Sequence, residues 1–283
     1  MLYYFSFISN HLNSIISNLM RIGEHNVVLK VTNLTGGYLG NPVLKEVNFE
    51  IGDGELVGLI GLNGAGKSTT IQEIIGLLTP YSGQIELDGL TLQQNLEGYR
   101  QKIGFIPETP SLYEELTLRE HIEVTALAYG IPVEVAMERA QKLLETFRLS
   151  DKLDWFPVNF SKGMKQKVMI ICAFLCEPSL YIVDEPFMGL DPLAIQDLID
   201  LMLEMKKTGS SILMSTHILS TAEKFCDKFV VLHEGQVIAT GTVDELRAKF
   251  GQPNASLDEI YLSLTKGNLP NHTQSKEAGF IHE

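Results

Sequence analysis

The stretch Gly61-Leu62-Asn63-Gly64-Ala65-Gly66-Lys67-Ser68, followed by Thr69, constrains this chain more than any other part of it. It fits the pattern G-x-x-x-x-G-K-[ST], a loop that wraps phosphate. Leu56, Val57, Gly58, Leu59 and Ile60 precede it and read as a buried parallel strand. Thr70 to Leu78 reads as a helix, stopped by Thr79-Pro80. Glycines at 61, 64 and 66 let the backbone turn its N–H groups toward an anion, and the helix N-terminus adds partial positive charge. Lys67 would place a cation on the β- and γ-phosphates, and the Ser68 hydroxyl can ligate Mg²⁺. The bland alternative is a glycine-rich turn with a surface lysine. The strand–loop–helix context counts against it.

Composition narrows the setting. The 283 residues suffice for one large or two ordinary domains. A formal net charge of −13 argues against a nucleic-acid partner. Cys172, Cys176 and Cys226 form no C-x-x-C pair; the first two sit four apart in an apolar helical run and read as core. The longest uninterrupted apolar run, 168–176, is far shorter than the ~18 residues of a membrane span, so none is expected.

Residues 1–26 form an apolar extension with no Lys or Arg before Arg21. It reads either as an interfacial or partner-binding helix, or as residues upstream of a start at Met20; we favour the second. Val27 to Leu34 and Val43 to Ile51 alternate like strands, with Gly36-Gly37-Tyr38 as a turn between them. Tyr38 is placed either to stack on a nucleotide base or to cover a core edge. Ser82 to Leu87 and Ile103 to Ile106 are further strands, and Thr117-Leu118-Arg119-Glu120 is a capping box. A helix from about Val133 to Phe147 follows. Residues about 109–165 thus interrupt a βα pattern with helices only and read as an inserted all-helical subdomain. Ser161 is placed as the N-cap of the next helix.

Leu180-Tyr181-Ile182-Val183-Asp184-Glu185 is an apolar strand ending in two carboxylates, where ligands of an open α/β sheet collect. Asp184 could hold the Mg²⁺ that Ser68 touches, and Glu185 could accept a proton from water. Ser211 to Ser215 is another strand, delivering His217. A hairpin over 229–239 and helices over 243–250 and 257–264 complete the pattern. From Gly267 the chain is polar and aperiodic and reads as disordered.

In this order and at these separations, the motifs resemble the ATP-binding subunits of ABC transporters over residues about 27–245. The likeness covers the base-stacking aromatic (Tyr38), the Walker A loop (Gly61 to Ser68) and the Q-loop position (Glu108). It continues through the signature (Ser161 to Met164), the Walker B strand (Leu180 to Asp184) and the catalytic carboxylate (Glu185). The D-loop (Leu190-Asp191) and the switch histidine (His217) complete it. The resemblance implies a P-loop NTPase, RecA-like α/β core sheet flanked by helices, with an antiparallel β part. It implies ATP and Mg²⁺ as ligands, and ATP hydrolysis by a peripheral subunit on the cytoplasmic face of the membrane. A separate integral membrane permease would dock near Glu108. Two ATPase subunits would close head-to-tail, with Ser161 and Gly163 reaching the γ-phosphate held by the partner.

Two departures stand out. The usual L-S-G-G-Q signature is here Phe160-Ser161-Lys162-Gly163-Met164, and the Q-loop glutamine is Glu108. Both resemble the branch serving ABC-2-type exporters, and the run Ile103 to Thr117 resembles the ATPase subunits of Ecs-type transporters. The rivals are a soluble ABC ATPase acting on ribosomes or DNA, and a nucleotide-binding module without turnover. One cassette, no sustained heptads and an acidic balance count against the first; Glu185 and His217 count against the second.

Overall fold

A computed structural model describes residues 26–265. The expectations for the apolar extension, for Met20 and for the tail beyond 265 lie outside the described residues. Chain order runs β1 (Val27–Tyr38), β2 (Asn41–Gly52), β3 (Leu56–Ile60), α1 (Lys67–Ile74), β4 (Ser82–Leu87), α2 (Leu96–Arg100) and β5 (Ile103–Ile106). Three helices follow with no strand between them: α3 (Leu118–Ala128), α4 (Val133–Phe147) and α5 (Lys162–Phe174). Then come β6 (Leu180–Asp184), α6 (Pro192–Lys207), β7 (Ser211–Ser215), α7 (Leu219–Ala222), β8 (Lys228–His233), β9 (Gln236–Gly241), α8 (Val243–Lys249) and α9 (Leu257–Thr265). Among the described residues, no helix is long and apolar enough to cross a membrane.

Two sheets form. β2, β1 and β4 make an antiparallel three-stranded sheet. The six-stranded sheet has the order β5-β6-β7-β3-β8-β9, parallel up to β8, with β9 antiparallel at the edge. The period-two alternation of the central strands sends neighbours to opposite faces. Leu56 and Ile60, Tyr181 and Val183, Ile212 and Met214 pack toward the helices α3 to α6. Val57 and Leu59, Leu180 and Ile182, Leu213 and Val230 pack instead against β1, β2 and α1, meeting Leu29, Leu44, Val47, Ile71 and Ile74. Each such fully buried leucine or isoleucine contributes about 1.5–3 kcal/mol. A Cβ at Gly58 on the first face would lie 2.7 Å from the Phe229 ring, so the phosphate-loop strand needs glycine there.

Local chemistry sets the boundaries. The turn expected at Gly36–Tyr38 lies later, at Leu39-Gly40, with φ of 52° and 82°; Tyr38 ends β1 opposite Asn41. A two-residue hairpin turn of this hand needs positive φ at both central positions, and Leu39 accepts it at an exposed tip. α1 begins at Lys67 rather than Thr70, because Gly66 takes a left-handed conformation and serves as N-cap. Thr117 and Glu120 make the reciprocal capping box of α3, and Ser161 caps α5 by accepting from the Met164 N–H at 3.2 Å. α4 is amphipathic, burying Ala136, Ala140, Leu143, Leu144 and Phe147.

Candidate active site

The order β6-β7-β3 brings the carboxyl ends of three buried strands side by side. Each ends in chemistry: β3 in the glycine loop, β6 in Asp184-Glu185, β7 in Thr216-His217. Gly61, Leu62, Asn63, Lys67 and Ser68 therefore share one cavity of about 730 Å³ with Glu108, Asp184, Glu185 and His217.

The loop is held from beneath. Gly64 and Gly66 have φ of 83° and 108°, and a Cβ on Gly66 would stand 2.6 Å from Leu44 Cδ2. Thr70 Oγ1 donates to the Gly66 carbonyl at 2.9 Å, tying the first turn of α1 to the loop. The Lys67 ammonium is buried and donates to the Gly61 carbonyl at 2.8 Å and toward the Leu62 carbonyl at 3.5 Å. Lys67 is thus curled into the loop that it would share with a phosphate. Ala65 and Thr69 are buried beside it.

The two carboxylates follow one another, yet both line the cavity. A regular strand would send them to opposite faces. Glu185 breaks the strand with φ of 46°, and its N–H donates to the Ser215 carbonyl at 3.2 Å and to Ser215 Oγ at 3.1 Å. Such a left-handed non-glycine residue costs of order 1–3 kcal/mol and persists because the neighbouring strand holds it. Asp184 is buried and pairs in register with Ser215, whose hydroxyl donates to its carboxylate. Burial pushes the Asp184 carboxyl above its usual range; the Ser215 hydrogen bond opposes this, and Glu108 and Glu185 add to it. The Glu185 carboxylate meets His217 Nδ1 at 2.7 Å and accepts from the His217 N–H at 3.3 Å. As its partner is a carboxylate, Nδ1 is the donor of that contact.

The structure brings most of the sequence-derived residues together. Tyr38 does not line this cavity; its hydroxyl donates to Gln72 Oε1 on α1 at 2.7 Å and its ring is partly exposed. Ser161 and Gly163 also lie elsewhere: Ser161 is exposed, and a Cβ on Gly163 would stand 2.5 Å from the Gly189 carbonyl. Glu108, the expected docking place, itself lines the cavity, and its charge is felt at Asp184. Sequence reasoning missed Ser215, whose position one strand away is a matter of register. It also missed Asp258, Tyr261 and Leu262 of α9, which complete the cavity wall with Met188 and Leu219. No local pattern marks them.

The donor set suits Mg²⁺. One hydroxyl, Ser68, and one buried carboxylate, Asp184, face the same space, leaving further positions for phosphate oxygens and water. Among the described residues, no cluster of three His, Cys, Asp or Glu side chains could hold a metal alone.

Comparison with known proteins bears on this arrangement. The pattern of the family described as "ABC transporter" matches residues 44–188. The ABC-type transporter ATP-binding protein EcsA of Bacillus subtilis is 61% identical over 239 residues, covering 84% of this chain and 97% of that protein. A solved ATP-binding subunit of an ABC transporter superposes with a TM-score of 0.82 at 56% identity, over 84% of this chain and 99% of that one. A dimeric ATP-binding cassette in a post-hydrolysis state with ADP and Pi, MJ0796, has a TM-score of 0.70 at 27% identity, over 76% and 98% of the two chains.

Proposed function

The chain belongs to the ABC transporter family, as an ATP-binding and ATP-hydrolysing subunit that energises a membrane partner, and on that premise we propose how its residues divide the work. The observation that carries the reading is the meeting of Lys67, Ser68, Asp184, Glu185 and His217 in one cavity. Lys67 releases its loop carbonyls to contact the β- and γ-phosphates, while N–H groups from Gly64 to Thr69 cradle them. Ser68 and Asp184 would hold Mg²⁺, which would offset phosphate charge there. Glu185 accepts a proton from the attacking water as the new P–O bond forms and the β–γ bridging bond breaks, leaving ADP and phosphate. His217, hydrogen-bonded to Glu185, keeps that carboxylate aimed. Tyr38 stacks on the base, tethered through Gln72 to the helix behind the loop.

Ser161 and Gly163 serve the nucleotide of a second subunit in a head-to-tail dimer. That neither lines this chain's own cavity supports that role. The cassette spans about 27–245, with the helical part about 109–165 as a moving subdomain. The permease docks near Glu108, between the main and helical parts, on the cytoplasmic face. A groove of about 410 Å³ between α2 and the end of α3, lined by Leu96, Arg100, Ala128 and Tyr129, opens beside the start of β5 and is a further surface between the two parts that a helix could use. Export is the direction that the likeness to ABC-2-type subunits supports. Action on ribosomes or DNA is not favoured, given the acidic balance and transporter relatives. Steady-state ATP turnover by the purified chain tests the assignment: Glu185→Gln should lower it roughly 10²–10⁴-fold. Turnover unchanged by that exchange overturns it.

A further inference from the structure

The third wall of the cavity comes from α9, a helix that no part of the hydrolysis scheme uses. Ser256 and Glu259 cap its start, with the Glu259 carboxylate accepting from the Ser256 N–H at 2.8 Å. Leu257, Ile260 and Tyr261 fall on one helical face and are buried. The helix is anchored to the segment that follows His217. Glu223, just after α7, accepts from the Leu257 N–H at 3.0 Å and from Arg247 at 2.8 Å, and Arg247 also donates to the Ala255 carbonyl at 2.8 Å. One carboxylate and one guanidinium therefore pin α7, α8 and the start of α9 together.

At the other side of α9, Tyr261 lies against the phosphate loop. Its hydroxyl is buried, faces the backbone N–H of Leu62, and has no well-formed hydrogen bond among the described residues. The peptide that carries the Leu62 N–H also carries the Gly61 carbonyl, on which Lys67 rests at 2.8 Å. The peptide beside Tyr261 thus sets where the Lys67 ammonium waits. Leu219 of α7, two residues past His217, lines the same cavity. α9 spans the gap between the loop that binds phosphate and the segment that carries the switch histidine.

We propose that α9 is a working wall of the nucleotide site and that Tyr261 is a positioning residue, acting through the Gly61–Leu62 peptide on Lys67. This rests on the nucleotide reading above and adds to it a dependence on a helix outside the shared motifs. The ring does the holding, because the hydroxyl has no well-formed bond to lose.

The test is nucleotide affinity of the full chain, measured with a fluorescent ATP analogue and with ADP, beside turnover and a thermal melt. Tyr261→Ala should weaken both nucleotides about tenfold, since a small misplacement of a binding group has effects of this size or larger, and should raise KM more than it lowers kcat. Tyr261→Phe should stay within about twofold of the parent by the same reasoning. Glu223→Gln, outside the cavity, should weaken binding in the same direction through the loosened clamp. A purely structural role would lower the melting temperature and leave affinity in the cold untouched. Affinity within twofold of the parent in a folded Tyr261→Ala overturns the proposal. Should that variant not fold, Tyr261→Leu and Glu223→Gln replace it in the same measurement: weakened binding supports the proposal, and parental affinity overturns it. Lys67→Ala is measured alongside: if it too binds normally, the nucleotide reading has failed rather than the role of α9.

Discussion

Glu73 offers a quantitative test of the fold around the phosphate loop. It sits on α1, six residues beyond Lys67, and is fully buried. Neither carboxyl oxygen has a hydrogen-bond partner among the described residues. The side chain lies over β1 so closely that a Cβ on Gly36 would be 1.6 Å from Glu73 Oε1. Burial alone pushes the carboxyl up from 4.5 to about 7. The folded protein therefore holds this proton through a range in which the unfolded chain has lost it. Stability from the protonated group is fully present below about 4.5 and is lost as pH rises toward about 7. At 1.36 kcal/mol per pH unit, the loss saturates near ~3 kcal/mol above neutrality.

Glu73→Gln keeps the shape and removes the titration. Urea unfolding of parent and variant at pH 5 and pH 8 isolates the effect, because other titrating groups are common to both. The gain of the variant over the parent should be about 2–3 kcal/mol larger at pH 8 than at pH 5. Parallel stability profiles would refute the reasoning, and would mean that Glu73 is solvated or paired in solution.

Three further outcomes are expected. Lys67→Ala should weaken ATP binding and lower turnover together in an equilibrium binding and ATPase assay, since Lys67 is the lysine of the cavity; hydrolysis at the parent rate would remove the loop from the site. Glu185→Gln with ATP and Mg²⁺ should accumulate a dimer on gel filtration, and monomer alone counts against closure on ATP. Glu108→Gln should leave basal turnover within about tenfold, a barrier change under ~1.4 kcal/mol; a larger loss rescued by raised Mg²⁺ would make Glu108 a metal ligand.

The parts of the site that were legible in the sequence are those written in consecutive residues. The glycine loop, the strand into Asp184 and the caps at Thr117 and Ser161 depend on neighbours, so pattern alone places them. The Leu39-Gly40 turn was displaced because Gly36 and Gly37 look like turn glycines but are small for another reason: Glu73 packs over one and the Asn41 carbonyl stands 2.1 Å from a Cβ on the other. Glu73 itself reads as a solvated helix position, since nothing local says that a strand covers it. The Ser215 pairing to Asp184 is a register fact, and Tyr261 reaches Leu62 only through the packing of α7, α8 and α9. Contacts between distant stretches leave no periodic trace in one sequence.

The charges of the cavity explain why closure by a second subunit and nucleotide binding belong together in the proposed mechanism. Glu108, Asp184, Glu185 and Asp258 line it, with Lys67 and His217 as the only basic residues on its walls among those described. A triphosphate adds more negative charge to a space already tilted that way. Mg²⁺, Lys67 and the loop N–H groups would offset part of it, and in the proposed dimer donors of the facing subunit would add to them. The start of α5 is suited to supply them. It carries Lys162 and no acidic residue in its first turn, an arrangement that opposes its own helix dipole. A free helix is stabilised by the opposite choice. The cost falls away once an anion from a facing subunit sits at that N-terminus, where Ser161 and Gly163 also stand. In the proposed dimer the departures Lys162 and Glu108 would offset one another: an added acid in one chain's cavity would face an added base on its partner's signature helix.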